Sequence, residues 1–238
     1  MVAAGERHWW YQSTRSLLEL LVGPYLAPVE PSTIFLDAAG GSGATGSWLA
    51  DRGTTVLDDY ETVALQAAVH DHAGYRAVRA DINRLPHRAN TFDAVLCVTA
   101  LYHRLNPDPQ AVVDEFTRVV KPGGLVCLME PGGKKLWRGH DEVTQAARRF
   151  SLAEMKAMVR TSGLELVRAT GAYSFLVPPA AVMGIVERRS NKSDVGRNES
   201  GMGGVLGHVA RLERSLLRRF DLPFGLSVIA IGRKPPNT

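Results

Sequence analysis

The chain has 238 residues, 45% hydrophobic and 22% charged, enough for one full hydrophobic core in a single large domain and unlike a disordered or fibrous composition. No run of about eighteen apolar residues offers a membrane span. Its formal net charge is +4, and the excess is local. Eight Arg/Lys and four Asp/Glu lie between Glu187 and Arg219, leaving 20 of each elsewhere. A neutral body with one basic segment excludes a general nucleic-acid binder. Met1 to Trp10 lacks the apolar centre of a signal peptide, so a cytoplasmic protein is expected. Cys97 and Cys127 lie in apolar strand runs and read as two buried free thiols; with no companion ligands, no metal site is expected.

In chain order, an aromatic cluster, Trp9-Trp10-Tyr11, precedes a helix over Gln12–Leu21. A buried-strand run, Thr33–Leu36, meets Asp37-Ala38-Ala39-Gly40-Gly41-Ser42-Gly43, and a helix is predicted over Ala44–Arg52. Then alternate strand Thr54–Asp58, helix Glu61–His70, strands Tyr75–Ala80 and Phe92–Val98, helix Asp108–Val120 and strand Leu125–Glu130. Pro122-Gly123-Gly124 forms the turn before that last strand. Ser151 caps helix Leu152–Ser162, with Glu154 at the capping-box position. Strand Leu164–Ala169 follows, with a continuation towards Phe175, and the final strand is Leu226–Gly232.

Short apolar runs between helical patterns predict an α/β fold. It is expected to be a Rossmann-like, doubly wound, mostly parallel seven-stranded sheet with an antiparallel last strand, an N-terminal helix and an insertion before the last strand. The expected division of the single domain is 1–31 as a helical lid, 32–131 as the cofactor-binding core, 132–175 as the substrate-side half, 176–225 as an insertion or cap, and 226–238 as the last strand and tail. The middle of the insertion, Arg188 to Gly204, is polar and Gly/Ser-rich and reads as mobile. A helix over Val205–Phe220 carries an apolar stripe, Leu206, Val209, Leu212, Leu216 and Phe220, with Arg211, Arg214 and Arg218 on another side.

The glycine turn has two readings. Gly41-Ser42-Gly43-Ala44-Thr45-Gly46 matches the dinucleotide fingerprint G-x-G-x-x-G. A pyrophosphate, however, favours helix N–H groups with no carboxylate nearby. S-adenosylmethionine (SAM) carries a sulfonium and an ammonium, which the carboxylate of Asp37 attracts. An NAD-binding oxidoreductase would need an apolar residue in place of Asp37 and a Tyr-x-x-x-Lys pair, and neither occurs.

The downstream residues decide between them. Asp81-Ile82, Leu85-Pro86, Phe92-Asp93, Leu101-Tyr102-His103 and Lys121-Pro122-Gly123-Gly124 follow in order. With Asp37–Gly43, this set strongly resembles the class I SAM-dependent methyltransferases over about Ser32 to Pro131. Ala39 departs from the family, whose first glycine usually stands there; a methyl is tolerated there if its φ is negative. The departure motivates an alternative reading, a non-catalytic SAM-binding scaffold. Glu6-Arg7-His8-Trp9-Trp10-Tyr11 with Arg15, Trp137–Glu142 with Arg148–Ser151, and Leu222–Ser227 resemble a bacterial subgroup linked to envelope glycan or lipid metabolism.

The resemblance implies a methyl transfer from SAM, without a metal, to a small-molecule, glycan or lipid-linked acceptor, at oxygen. Asp37, Ala39, Gly40, Gly41 and Gly43 surround the cofactor. Asp59, 16 residues past Gly43, accepts the ribose hydroxyl protons, with Asp58 as competitor, and Tyr60 packs on the adenine. Asp81 accepts from the adenine amino group and the Ile82 N–H faces a ring nitrogen; alternatively Asp81 forms an Asx turn with Asn83. Thr99 ends the fourth strand beside the methionine part. Trp9 and Trp10 either close over the sulfonium or plug the helix onto the sheet. His103, His140 and Asp141 are candidate general bases; Arg15, Tyr102 and Arg149 are candidate acceptor ligands. The basic helix of the insertion either packs its stripe on the domain or makes a peripheral contact with an anionic inner-membrane surface.

Overall fold

The computed structural model describes residues 9–28, 30–72, 74–137, 139–181 and 203–236. Glu6-Arg7-His8, Arg138 and nearly all of the Arg188–Gly204 stretch lie outside these, as does the side chain of His140. The strand runs pair as the alternation predicts: β1 (Ile34–Ala38), β2 (Thr54–Asp59), β3 (Tyr75–Arg79), β4 (Phe92–Val98), β5 (Val120–Pro131), β6 (Glu165–Ala172) and β7 (Ser227–Arg233). They form one sheet of order β3-β2-β1-β4-β5-β7-β6. β1 to β5 pair parallel, whereas β7 runs antiparallel between β5 and β6. The antiparallel last strand predicted from sequence is therefore present.

Residues opposite one another in register share a face of the sheet. Asp37, Leu57 and Leu96 share one face with Cys127, and Ala38, Asp58 and Cys97 share the other with Leu128. The first face is covered by α1 (Trp9–Val22) and α6 (Gly203–Leu217), which contribute Leu17, Leu18, Leu21, Ala210 and Leu217 to its core. The second is covered by α3 (Pro109–Val119) and α5 (Leu152–Thr161), through Val112, Val113, Phe116, Met155 and Val159. α2 (Thr62–Asp71) sets Leu65 and Ala68 against Leu57 and Tyr75. A short α4 (Gly139–Val143) follows β5. Cys97 and Cys127 are buried free thiols, and their opposite faces keep them from pairing.

The caps follow local chemistry. Asp108 accepts from the amides of Gln110 and Ala111 at 3.0 and 3.2 Å, with Pro109 in the first helical turn. Ser151 Oγ accepts from Glu154 N at 3.2 Å while Glu154 returns to Ser151 N at 2.9 Å, the predicted capping box.

Two expectations fail. Ala44–Arg52 is not an α-helix but a series of turns around a 3-10 segment, Ser47–Leu49. Its bonds run i to i+3, from Leu49 N to Gly46 O and Ala50 N to Ser47 O. Gly43 O receives the Tyr75 hydroxyl at 3.0 Å, so the carbonyl that would start an α-helix is engaged elsewhere. The stripe on α6 also differs. The inward positions are Ala210, Glu213 and Leu217, while Leu212, Leu216 and Phe220 are 66%, 50% and 65% exposed. Glu213 sets this register: its carboxylate accepts from Tyr173 N, from Ser174 N at 2.9 Å and from Ser174 Oγ at 2.6 Å. Those bonds cap the 3-10 turn Ser174–Leu176, and a buried carboxylate turned to water would abandon them.

Ser151→Ala should lower stability by about 1 kcal/mol, read as an earlier urea midpoint with an unchanged slope; an unchanged midpoint would show that α5 does not depend on this cap.

Candidate active site

In parallel α/β sheets the carboxyl ends of the strands form the crevice. Left-handed backbone occurs there: after β1, Ala39, Gly41 and Gly43 have φ of 51°, 58° and 77°, and after the adjacent β4, Thr99 has φ 52°. A left-handed φ costs an L-residue roughly 1–2 kcal/mol, and a β-branched threonine tolerates it poorly. Such strain clusters at functional sites. The condition under which the Ala39 methyl would be free of strain, a negative φ, is thus not met. The turn is held in shape by Gly40 N donating to Asp58 O at 3.0 Å and Gly43 N to Gly40 O at 2.9 Å.

Asp37 lies beneath this turn and is 1% exposed. A Cβ at Gly40 would stand 2.7 Å from its carboxyl carbon, and one at Gly46 2.1 Å from Oδ2. The two glycines are therefore the space the carboxyl occupies. Oδ2 accepts from the Tyr75 hydroxyl at 2.9 Å, and Oδ1 has no hydrogen-bond partner among the described residues. Burial pushes the Asp37 carboxyl up to about 7; the Tyr75 bond opposes this, and Asp59 and Asp58 reinforce it. Tyr75 has one hydroxyl proton and two acceptors, Asp37 and Gly43 O. The one proton can serve only one of these acceptors at a time.

Alternation along β2 separates the two neighbouring acids. Asp59 points to the glycine turn, accepting from Gly41 N at 2.9 Å and Glu61 N at 2.8 Å. Asp58 points to the opposite face, where His87 Nε2 lies 2.8 Å from its Oδ2. Tyr60 is 55% exposed, with the Arg79 guanidinium 5.4 Å from its ring centre. Asp81 Oδ1 accepts from Asn83 N at 2.9 Å and Asn83 Nδ2 at 2.6 Å, so the Asx turn is formed. The Ile82 side chain is buried in the core. Asn83 Nδ2 continues to Asn106 Oδ1, and Asn106 Nδ2 donates to Ala100 O at 2.6 Å, tying the loops after β3 and β4 together.

The loop after β4 hangs on Glu130, a fully buried carboxylate at the end of β5. It accepts from the amides of Ala100, Leu101 and Tyr102 at 3.1, 2.9 and 3.1 Å. Burial raises its carboxyl to about 8, against the pull of those three amides. Burial also raises the Tyr102 phenol, despite a side-chain bond with Thr144, which keeps it protonated and a donor.

The candidate bases fare differently. His103 Nδ1 accepts from Leu105 N at 3.2 Å. In the neutral ring the proton then sits on Nε2. Asp141 is more firmly engaged. Its oxygens accept from Arg149 Nε at 2.8 Å and Nη2 at 2.9 Å, both residues are buried, and Arg149 Nη1 donates to Gly132 O at 2.9 Å. Each is the other's partner, so neither Asp141 as base nor Arg149 as acceptor ligand is free to act, and splitting such a pair costs about 3–5 kcal/mol. His140 is placed only by its backbone, in α4.

On α1, Trp9 packs edge-on to Tyr173 and Trp10 edge-on to Tyr11, with centroids 6.1 and 4.9 Å apart. Both tryptophans lean on the core beneath α1. Arg15 donates to Ser47 Oγ at 3.1 Å, just past the glycine turn, and its charge reaches Tyr75. It stands with the turn, not with the loop after β4 that was expected to meet the acceptor. Sequence reading missed Tyr75, Glu130 and the Asn83–Asn106 pair. Glu130 had a signal, an acid ending an apolar strand run; the others had none.

Residues 36–128 match the family model described as a methyltransferase domain. With this sheet and this glycine turn, that segment has the character of a class I SAM-dependent methyltransferase domain, a reading the dinucleotide fingerprint alone would not give. It is 35% identical over 117 residues to malonyl-[acyl-carrier protein] O-methyltransferase of Salmonella typhimurium, covering 49% of this chain and 43% of that protein. It is 33% identical over 123 residues to demethylmenaquinone methyltransferase of Clavibacter sepedonicus, covering 49% of each. The chain thus spans about half the length of these curated relatives or less. Among solved structures, it resembles phosphoethanolamine N-methyltransferase 2 of Haemonchus contortus in complex with S-adenosyl-L-methionine (TM-score 0.59, 16% identity, 92% of this chain and 52% of that one). It also resembles the [4+2]-cyclase SpnF (TM-score 0.62, 17% identity, 94% and 81%), a likeness of fold alone.

Asp37 and Glu130 bind protons in the folded chain that the unfolded chain releases, because their carboxyls rise from 3.8 to about 7 and from 4.5 to about 8. Stability should therefore fall as pH rises from about 4 to about 8. Asp37→Asn should flatten the lower part of that slope, measured by urea unfolding at stepped pH; a slope identical to the wild type would contradict the buried, protonated Asp37.

Proposed function

We propose that this protein transfers a methyl group from SAM to a small-molecule, glycan or lipid-linked acceptor, at oxygen. The observation that carries the reading is Asp37 Oδ1, a buried acceptor with no donor among the described residues, beneath a left-handed glycine turn. An unsatisfied buried carboxyl is costly, and a cationic ligand above it offsets that cost. The space beside Gly41 is open, with nothing within 4 Å of where a Cβ would stand, so a ligand can lie against that backbone. The family supplies the ligand: SAM contributes an electrophilic methyl on a sulfonium.

In this reading Asp37 faces the cationic end of SAM and Asp59 the ribose hydroxyls. Asp81, Ile82 and Tyr60 flank the adenine, and Thr99 the methionine chain. Arg15, reaching Ser47 from α1, suits the cofactor's carboxylate better than an acceptor anion. The transfer is a displacement at the sulfonium carbon, so the chain's work is alignment and exclusion of water. Glu130 holds the loop 100–102, and the Arg149–Asp141 pair braces the segment after β5 behind it. Tyr102, neutral and donating, orients an acceptor oxygen. His103 or His140 accepts the proton of a hydroxyl acceptor. Trp9 and Trp10 shield the entrance from the α1 side.

Two relatives favour a carrier-borne or lipid-borne acceptor. The Salmonella protein is named for a malonyl group on acyl carrier protein and the Clavibacter one for a menaquinone.

Isothermal calorimetry tests the cofactor half. Wild type should bind SAM saturably, and Asp59→Ala should lose about 1–3 kcal/mol, as when a charged hydrogen-bond partner is removed. Equal affinity would remove Asp59 from the site, and no binding by the wild type would reject the reading.

A further inference from the structure

α6 exposes an apolar ridge that nothing in the described chain covers. Leu212 is 66% exposed, Leu216 50%, Phe220 65% and Phe224 57%. Leu212 and Leu216 lie one helical turn apart, and Phe220 continues their line just past the helix end. Singly exposed leucines are ordinary, but a contiguous row marks an interaction surface.

Arginines frame the ridge. Arg219 follows it at the helix end and is exposed. On the flank towards α1, Arg211, Arg214 and Arg218 line an open groove with Ser16, Glu19 and Ser215. Arg211 and Arg218 are exposed, and Arg214 is half-buried and donates to Ser13 Oγ at 2.9 Å. None of the four has an ion-pair partner among the described residues: Glu19 is with Arg52 at 3.2 Å, and Glu213 is turned inward under Ser174. Burial lowers the Arg214 guanidinium from its ordinary value, Tyr173 opposes this, and the nearby Arg211 charge adds to it.

We propose that α6 is a docking helix for an anionic lipid bilayer, with Leu212, Leu216, Phe220 and Phe224 entering the headgroup–acyl boundary and the four arginines meeting lipid phosphates. Charge complementarity selects this occupant. A symmetric contact with a second copy would set arginines against arginines. The ridge is convex and lies along a helix, a shape that suits a planar interface. Arginine stems lie along apolar surface while their heads reach phosphates, bidentately where geometry allows. From Arg211 to Arg219 the four arginines stand against Glu213 alone, so basic charge and the apolar ridge share this helix. This inference is independent of methyl transfer.

The test is co-sedimentation of the full chain with phosphatidylglycerol-containing and pure phosphatidylcholine vesicles, without SAM. The wild type should partition to the anionic vesicles and be released by raised salt, since surface attraction falls within a Debye length. Arg211→Gln/Arg218→Gln should weaken binding about 25-fold, at about fivefold per charge removed. Leu212→Ser/Leu216→Ser should abolish it while leaving the circular dichroism spectrum and urea midpoint unchanged, because both side chains already face water. Equal partition to both vesicle types overturns the proposal, as does wild-type sedimentation by the leucine variant. A wild-type dimer in solution that the leucine variant converts to monomer assigns the ridge to a second copy and overturns it. Retention of an acidic protein by the wild-type ridge, without vesicle binding, overturns it too.

Discussion

The site is organised around a carboxyl group that has been taken out of water. Asp37 occupies the space left by the missing side chains of Gly40 and Gly46. Its two oxygens are treated unequally: one meets Tyr75 and the other meets nothing in the described chain. The cost of that burial would be hard to justify by stability. Replacing an unpaired buried carboxyl with an apolar or neutral group generally stabilises a core. In the proposed function the burial is used when the cofactor's positive charge draws the proton from this carboxyl and pairs with it. The left-handed φ values of Ala39 and Thr99 are a second reservoir of strain at the same strand ends.

Around this centre the buried polar groups divide their work. Asp59 fixes the glycine turn, Asn83 and Asn106 join two loops, and Glu130 gathers three amides of the loop after β4. The Arg149–Asp141 pair locks the segment after β5 to Gly132. Each is a carboxylate or amide satisfied by neighbours distant in sequence, so it is silent until the sheet assembles. A fully satisfied network of this kind specifies one geometry, which is what alignment of a methyl donor and an acceptor requires.

The fold was legible in the sequence because its signals are local. Apolar runs between helical patterns gave the strands and their mostly parallel direction, and Ser151–Glu154 and Asp108–Pro109 announced their helices. The failures share a cause, which is a long-range hydrogen bond overriding a local pattern. Tyr75, some thirty residues downstream, claims the carbonyl of Gly43 and the predicted helix after the glycine turn does not form. Glu213 turns inward to cap Ser174 and rotates α6 away from its apparent apolar stripe. At the site, spacing pointed to Asp37, the glycines and Asp59, which the structure gathers around one turn. Residue type alone does not reveal that Arg149 already occupies the acceptor atoms of Asp141.

The most direct test of the account is the titration of Asp37 followed by carbon-13 NMR of its carboxyl carbon, with Asp37→Asn to assign the signal. In the free protein the carboxyl should titrate near 7. With SAM bound, the positive charge above it should move the titration down by at least one pH unit, and by thermodynamic reciprocity SAM should bind more tightly as pH rises through that range. A carboxyl that titrates at the same pH with and without saturating SAM would contradict the claim that Asp37 is the group the cofactor's charge answers.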